Sequence, residues 1–219
     1  MAYNFTFNSS IQDLGSFNGH FSNEIIKNEL MFFNSNLDFS YKNGGDITKS
    51  FIDALPDDWK NCNPVLDSRV HMLMKGWYPC IPGYHHDDVP RSPITNQPDY
   101  DNPTYYSEHL MGLVNGDICP TVFALGNHQL PKIDNDIIYK RWHSIVEGQI
   151  EVDILKKYEC PSGKLIQFDW QSMHTGQRAI KDGWRWFVRL SRNTERQNNI
   201  SNELRRQVQV YLEFPMEGW

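Results

Sequence analysis

Hydrophobic spacing along the chain changes character near residue 65. Before that point Ile25, Ile26, Leu30 and Phe33 recur at helical intervals behind Ser22, whose hydroxyl suits an N-cap, so a helix is predicted over 22–33. Phe51, Ile52 and Leu55 repeat the interval behind Asp46, a second candidate cap, and Pro56 closes that helix. Later apolar residues fall in short alternating or continuous runs broken by Pro, Gly and Asn, which is the pattern of strands. Strands are predicted at 69–77, 84–87, 111–114, 121–125, 149–155, 164–170, 185–191 and 208–214. Ile150, Val152 and Ile154 alternate with Glu151 and Asp153, and Val208, Val210 and Leu212 repeat that rhythm. Helices first and many short strands afterwards predict a mostly β chain with flanking helices, a jelly-roll-like core with N-terminal helices outside it. The Pro-, Asp- and Asn-rich stretch 91–106 reads as a long loop.

Composition narrows this picture. With 219 residues, 39% hydrophobic and 13% aromatic, the chain can bury one substantial core. One domain over 1–219 is expected, helical over 1–65 and β-rich over 66–219. A net charge of −6 gives no global basic field, which argues against nucleic acid and for a small-molecule substrate. The arginines between 185 and 206 are interrupted by Glu195 and Glu203 and read as a solvated connector. Cys62, Cys80, Cys119 and Cys160 contain no C-x-x-C, so neither a zinc knuckle nor a disulfide framework is indicated. The first residues lack a basic flank and an apolar signal region, and no stretch reaches membrane-spanning length, so a cytoplasmic protein with no membrane contact is expected. Nothing in the pattern sets an oligomeric state.

Candidate chemistry concentrates in His85-His86-Asp87-Asp88 and, much later, His174. Residues i and i+2 of a strand share a face, so either His85 with Asp87 or His86 with Asp88 can meet one metal. Pro82-Gly83 would deliver His85 at the strand start, which favours the first pair. His174, at the end of a strand-like segment, supplies a third ligand. Two histidines and one carboxylate hold Fe(II) on one face and leave the opposite positions open. From 183 to 192 the chain alternates cleanly: Arg185, Phe187, Arg189 and Ser191 share one face, and Trp184, Trp186, Val188 and Leu190 share a core-like one. Arg185 and Arg189, helped by the hydroxyl of Ser191 or Thr175, make a candidate anion site. Trp77, Tyr78, Tyr84 and Arg91 flank the cluster and are candidates for a substrate pocket. His71, His109, His128 and His143 lack a comparable pattern and are expected to be structural or exposed.

In this order His85, Asp87, His174 and Arg185 resemble the pattern of the Fe(II)/2-oxoglutarate-dependent dioxygenases. The phytanoyl-CoA hydroxylase-like branch looks nearest, because the arginine follows the distal histidine at a similar distance. The stretch from Asn115-Gly-Asp-Ile-Cys-Pro to Gly126-Asn-His128 is also loosely similar to that branch. The resemblance implies a double-stranded β-helix of the cupin-like, jelly-roll kind, with Fe(II) on His85, Asp87 and His174. It also implies O2 and 2-oxoglutarate as co-substrates, with the far carboxylate of 2-oxoglutarate on Arg185. Arg189 would hold the co-substrate or an anionic group of the substrate. Hydroxylation, with 2-oxoglutarate decarboxylated to succinate, is the implied reaction, and the carboxylate ligand disfavours halogenation. The competing expectations are a cupin-like metal enzyme that does not use 2-oxoglutarate and a non-catalytic jelly-roll binding module.

Overall fold

The structure is a computed structural model and describes residues 4–94, 96, 98–101, 106–133 and 138–212. In chain order its elements are β1 Asn4–Ser9, β2 Ile11–Ser16, α1 Asn23–Asn28, β3 Met31–Phe33, α2 Leu37–Asn43, α3 Asp46–Asp53, α4 Asp57–Lys60 and β4 Val65–Leu73. There follow β5 Glu108–Val114, β6 Thr121–Pro131, α5 Ile138–Glu151, β7 Lys156–Glu159, β8 Lys164–Asp169, β9 His174–Gly176, β10 Gly183–Arg192, a 3-10 turn at Glu195–Asn199, and β11 Glu203–Arg205. The fold is mostly β, and its strand pairings are antiparallel. One sheet runs β2-β8-β5-β10-β4, a second runs β1-β6-β7 with β9 also on β6, and β11 pairs with β3.

Alternation along the strands sets the layers. On β10 Trp186, Val188 and Leu190 pack with Ile47, Phe51 and Trp59 of the N-terminal helices, while Phe187 faces Met111, Phe123, Ile166 and Phe168 between the two sheets. On the outer side of the second sheet, Phe5, Phe7, Ala124 and Leu130 pack against Ile138, Trp142 and Val146 of α5. The helical layer seats closely because β5 carries Gly112, where an added Cβ would lie 2.9 Å from Phe17 and 3.0 Å from Phe51. Trp59 keeps its indole N–H satisfied inside this layer by donating to Gln167 Oε1 at 2.8 Å. Among the described residues, no helix is long and apolar enough to cross a membrane.

Several sequence expectations shift. The helix predicted over 22–33 starts as expected, with the Ser22 hydroxyl accepting from Ile25 N, but ends at Asn28, and 31–33 becomes a strand paired with β11. Glu29 is drawn away to the start of α3, where its carboxylate accepts from Gly45 N and Ile47 N and from the Thr48 hydroxyl. Asp46 is therefore the first helical residue and not the cap. The strand predicted at 149–155 is the end of α5 and the turn after it, with Val152 and Ile154 exposed. Ile138, Trp142 and Val146, spaced every four residues, decide that helix by burial. Residues 208–212 form no regular strand; Tyr211 makes an isolated bridge to Tyr78, and 213–214 lie outside the described residues. Segment 84–87 contributes a single bridge, and β4 runs four residues earlier at both ends than predicted. Within 91–106, Arg91 bridges to Pro98 and donates to Asn96 O, while residues 95, 97 and 102–105 lie outside the described residues. Residues 4–16, expected within a helical part, supply an edge strand to each large sheet.

Candidate metal centre

The site lies between the two sheets, where a short backbone bridge brings two histidines together. His85 N donates to His174 O at 3.0 Å and His174 N donates to His85 O at 3.1 Å, and the two rings stand 4.7 Å apart. Each ring is oriented the same way: His85 Nδ1 lies 2.9 Å from Gly83 O, and His174 Nδ1 lies 3.0 Å from Ser172 O. A carbonyl partner assigns the proton to Nδ1 and leaves the Nε2 lone pair of each imidazole for another bond. Asp87 completes the group, with Oδ2 3.2 Å from His174 Nε2. One ligand atom from each of His85, Asp87 and His174 lies within 4.8 Å of the others. Two imidazoles and a carboxylate converging in this way fit a divalent cation such as Fe(II). Burial and the nearby His174 push the His85 pKa down to about 4, which keeps that ring neutral near pH 7.

The alternative pair points elsewhere. His86 faces the α5 side of the second sheet, 2.9 Å from the Tyr100 hydroxyl and in ring contact with Phe7 and Trp142. Asp88, at φ +51, turns toward Arg189 and Arg196.

Arginines and carboxylates tie the metal end of the face together. Arg189 pairs with Asp87 Oδ1 through Nη1 and reaches Asp88 at 3.6 Å and Asp67 at 3.7 Å through Nη2. Arg196, from the 3-10 turn, pairs with Asp67 at 2.5 Å and Asp88 at 3.6 Å. Burial opposes the charge of Asp87, yet Arg189 and His174 outweigh it and hold the carboxyl well below its ordinary range. Burial likewise opposes the Arg189 charge, and Asp87, Asp88 and Asp67 more than offset it. Three carboxylates thus meet two guanidiniums, a small negative excess that a divalent cation would reverse.

Arg185 is in a different situation. It is 2% exposed, and its one hydrogen bond among the described residues is from Nη2 to the Thr121 hydroxyl at 2.9 Å. It makes no ion pair among the described residues, and its Nε is buried without a partner. Directly across the strand pair stands His71, driven down to about 3 by burial and by Arg185 itself, so it is neutral.

The remaining candidates scatter. Ser191 shares the face of Arg185 and Arg189, but its hydroxyl is engaged with His109 Nδ1 at 2.9 Å, and the other nitrogen of that ring lies 3.1 Å from the Ser107 hydroxyl. Thr175 follows His174 on β9 and so lies on the opposite side of the sheet. There it lines a cavity of about 220 Å³ with Tyr78, Gly83, His143, Glu147 and Gln177. Tyr78 is the one substrate-pocket candidate lining that cavity. Tyr84 is fully buried and stacks on His143, and Trp77 packs against Leu73, Ile118 and Ala179. Sequence reasoning missed Asp67, Arg196 and His109. A buried His109 inside the apolar run of β5 was a visible signal, whereas the approach of Arg196 to Asp67 depends on the path of the chain after β10.

No protein-family model and no curated protein matches the chain. Among solved structures it is similar to a novel N-substituted L-amino acid dioxygenase from Burkholderia ambifaria AMMD. That match has 13% identity and a TM-score of 0.36 over 70% of this chain, and the chain spans 61% of that protein. It is also similar to HygX from Streptomyces hygroscopicus with iron bound, at 9% identity and a TM-score of 0.34, covering 89% of this chain and 83% of that one.

Proposed function

We propose that the chain is a non-heme Fe(II)/2-oxoglutarate-dependent oxygenase that hydroxylates a small molecule on a core of the double-stranded β-helix, jelly-roll type. One observation carries this reading: a converging His85, Asp87 and His174 set shares an inter-sheet space with a buried arginine, Arg185, that has no carboxylate partner among the described residues. A buried guanidinium without an anion is costly, and a bound carboxylate removes that cost.

Bound Fe(II) would supply the oxidation chemistry, using O2 to oxidise a C–H bond while 2-oxoglutarate is decarboxylated to succinate. His85 and His174 would hold the metal through Nε2, their rings fixed by the carbonyls of Gly83 and Ser172. Asp87 would bind through its carboxylate, which Arg189 keeps ionised and oriented. Phe123 and Phe168, with ring centres 5.4 and 5.1 Å from that of His174, wall the site against water. Arg185 and Thr121 would take the far carboxylate of 2-oxoglutarate.

The test is succinate formation by the purified chain supplied with Fe(II), ascorbate, O2 and 2-oxoglutarate. Slow uncoupled turnover is expected, and it disappears in His85→Ala, Asp87→Ala and His174→Ala. Metal-dependent turnover of a substrate that is indifferent to 2-oxoglutarate would replace this reading with a cupin-like enzyme.

A further inference from the structure

Arg69 has no place in the reaction just described, yet it occupies the same wall. Side chains of β4 and β10 on the inner face form a ladder of opposed pairs: Asp67 with Arg189, Arg69 with Phe187, and His71 with Arg185. Successive pairs on one face are spaced by two residues, about 7 Å. Arg69 therefore stands between the carboxylate lattice at one end and Arg185 at the other, diagonal to Arg185. It makes no ion pair and no side-chain hydrogen bond among the described residues, and it is only partly exposed.

Among the described residues, neither arginine has an anionic partner. His71 is neutral. Cys80, whose Sγ packs against Gly176, has its thiol pKa raised by burial, and Cys119 is pushed up to about 11 in the same way, so neither supplies a thiolate near pH 7. The next cation along, Arg205, lies over the Phe33 ring at 4.3 Å and adds positive charge. Carboxylates are plentiful on this face, but they stand at the other end, already paired with Arg189 and Arg196.

We propose that Arg69 and Arg185 form one two-guanidinium seat for an oxyanion, with the Thr121 hydroxyl as a further polar group. The inference deepens the proposed function and rests on it only for the source of that anion. The anion is either the far carboxylate of 2-oxoglutarate, shared by both arginines, or an acidic group of the primary substrate lying beside the co-substrate. Both sources present the same chemistry, planar or tetrahedral oxygens that accept paired N–H donors.

Calorimetric titration of the full chain with succinate and with inorganic phosphate reads the seat without requiring iron or a keto acid. The wild-type chain is expected to bind at least one of them, and Arg69→Gln and Arg185→Gln should each weaken that binding roughly tenfold or more, as loss of a charged hydrogen-bonding partner does. Unchanged binding in Arg69→Gln beside a loss in Arg185→Gln overturns the proposal, and so does a wild-type chain that binds neither probe. A second arm titrates 2-oxoglutarate into the Co(II)-loaded protein. Equal weakening of 2-oxoglutarate and succinate in Arg69→Gln identifies the co-substrate as the ligand. Intact 2-oxoglutarate binding with lost probe binding identifies the primary substrate. Failure of 2-oxoglutarate to bind at all removes the proposed co-substrate but leaves the succinate and phosphate arms to judge the seat.

Discussion

Arg189 and Arg185 lie four residues apart on one strand and face the same interior, yet their surroundings are opposite. Arg189 is enclosed by Asp67, Asp87 and Asp88, whereas Arg185 has a neutral histidine, a threonine hydroxyl and, among the described residues, no carboxylate. The first arrangement is complete without a ligand and fixes a side chain that the metal would use. In the second, the guanidinium meets no carboxylate among the described residues, and burial makes an unpaired charge costly. A compensated charge therefore positions, and an uncompensated one recruits.

Substitution at the two sites should give opposite signs. Arg189→Met leaves Asp87 without an arginine in a poorly hydrated space and Asp67 and Asp88 with Arg196 alone, and the metal-free protein should lose about 3–5 kcal/mol of unfolding free energy, as broken buried pairs do. Added Co(II) or Mn(II) should recover part of that loss, and denaturant melts with and without metal check both. Arg185→Gln removes an unpaired buried charge, so stability should stay level or rise by about 1 kcal/mol while 2-oxoglutarate binding drops by about 100-fold. A large stability loss in Arg185→Gln would erase the distinction between the two ends.

Acid sharpens the same contrast. His85 and His109 have folded pKa values of about 4 and His71 of about 3, all below the unfolded value near 6.5. The unfolded chain then binds more protons between these limits, so metal-free stability should fall as pH drops from about 6.5 to about 4. Asp67 and Asp87, held low by their arginines, add a further loss below the unfolded carboxylate pKa near 3.9. Chemical melts across this range, repeated on His109→Gln, check the slope, which should become shallower in the variant. The smallest effect belongs to Thr175→Val, which should leave metal and 2-oxoglutarate affinity within about twofold, because that side chain lies on the far side of β9 from His174.

The site was more legible in the sequence than the fold around it. His85, Asp87 and His174 could be chosen because ligand chemistry restricts residue type, and Trp184 to Ser191 alternates strictly enough to assign both faces of β10. The end of α5 misled because Ile150, Val152 and Ile154 mimic a strand while the burial that decides the matter lies earlier, at Trp142 and Val146. β1 was overlooked although Phe5 and Phe7 alternate with polar neighbours, since six residues carry little weight without the partner strand β6. The role of Arg189 was out of reach for another reason. A strand pattern shows that an arginine faces inward, but only the register of β4 against β10 and the turn at Asp88 reveal which carboxylates it meets.

The division of the face is tested most directly by anaerobic titration of the apoprotein with Fe(II) and then 2-oxoglutarate, followed by visible absorption. A metal-to-ligand charge-transfer band should appear when the keto acid chelates iron. In Arg185→Gln that band should be lost at the same 2-oxoglutarate concentration while Fe(II) still binds. Bound iron with no band in the wild-type protein, or an undiminished band in Arg185→Gln, would contradict a face divided into a metal end and an anion end.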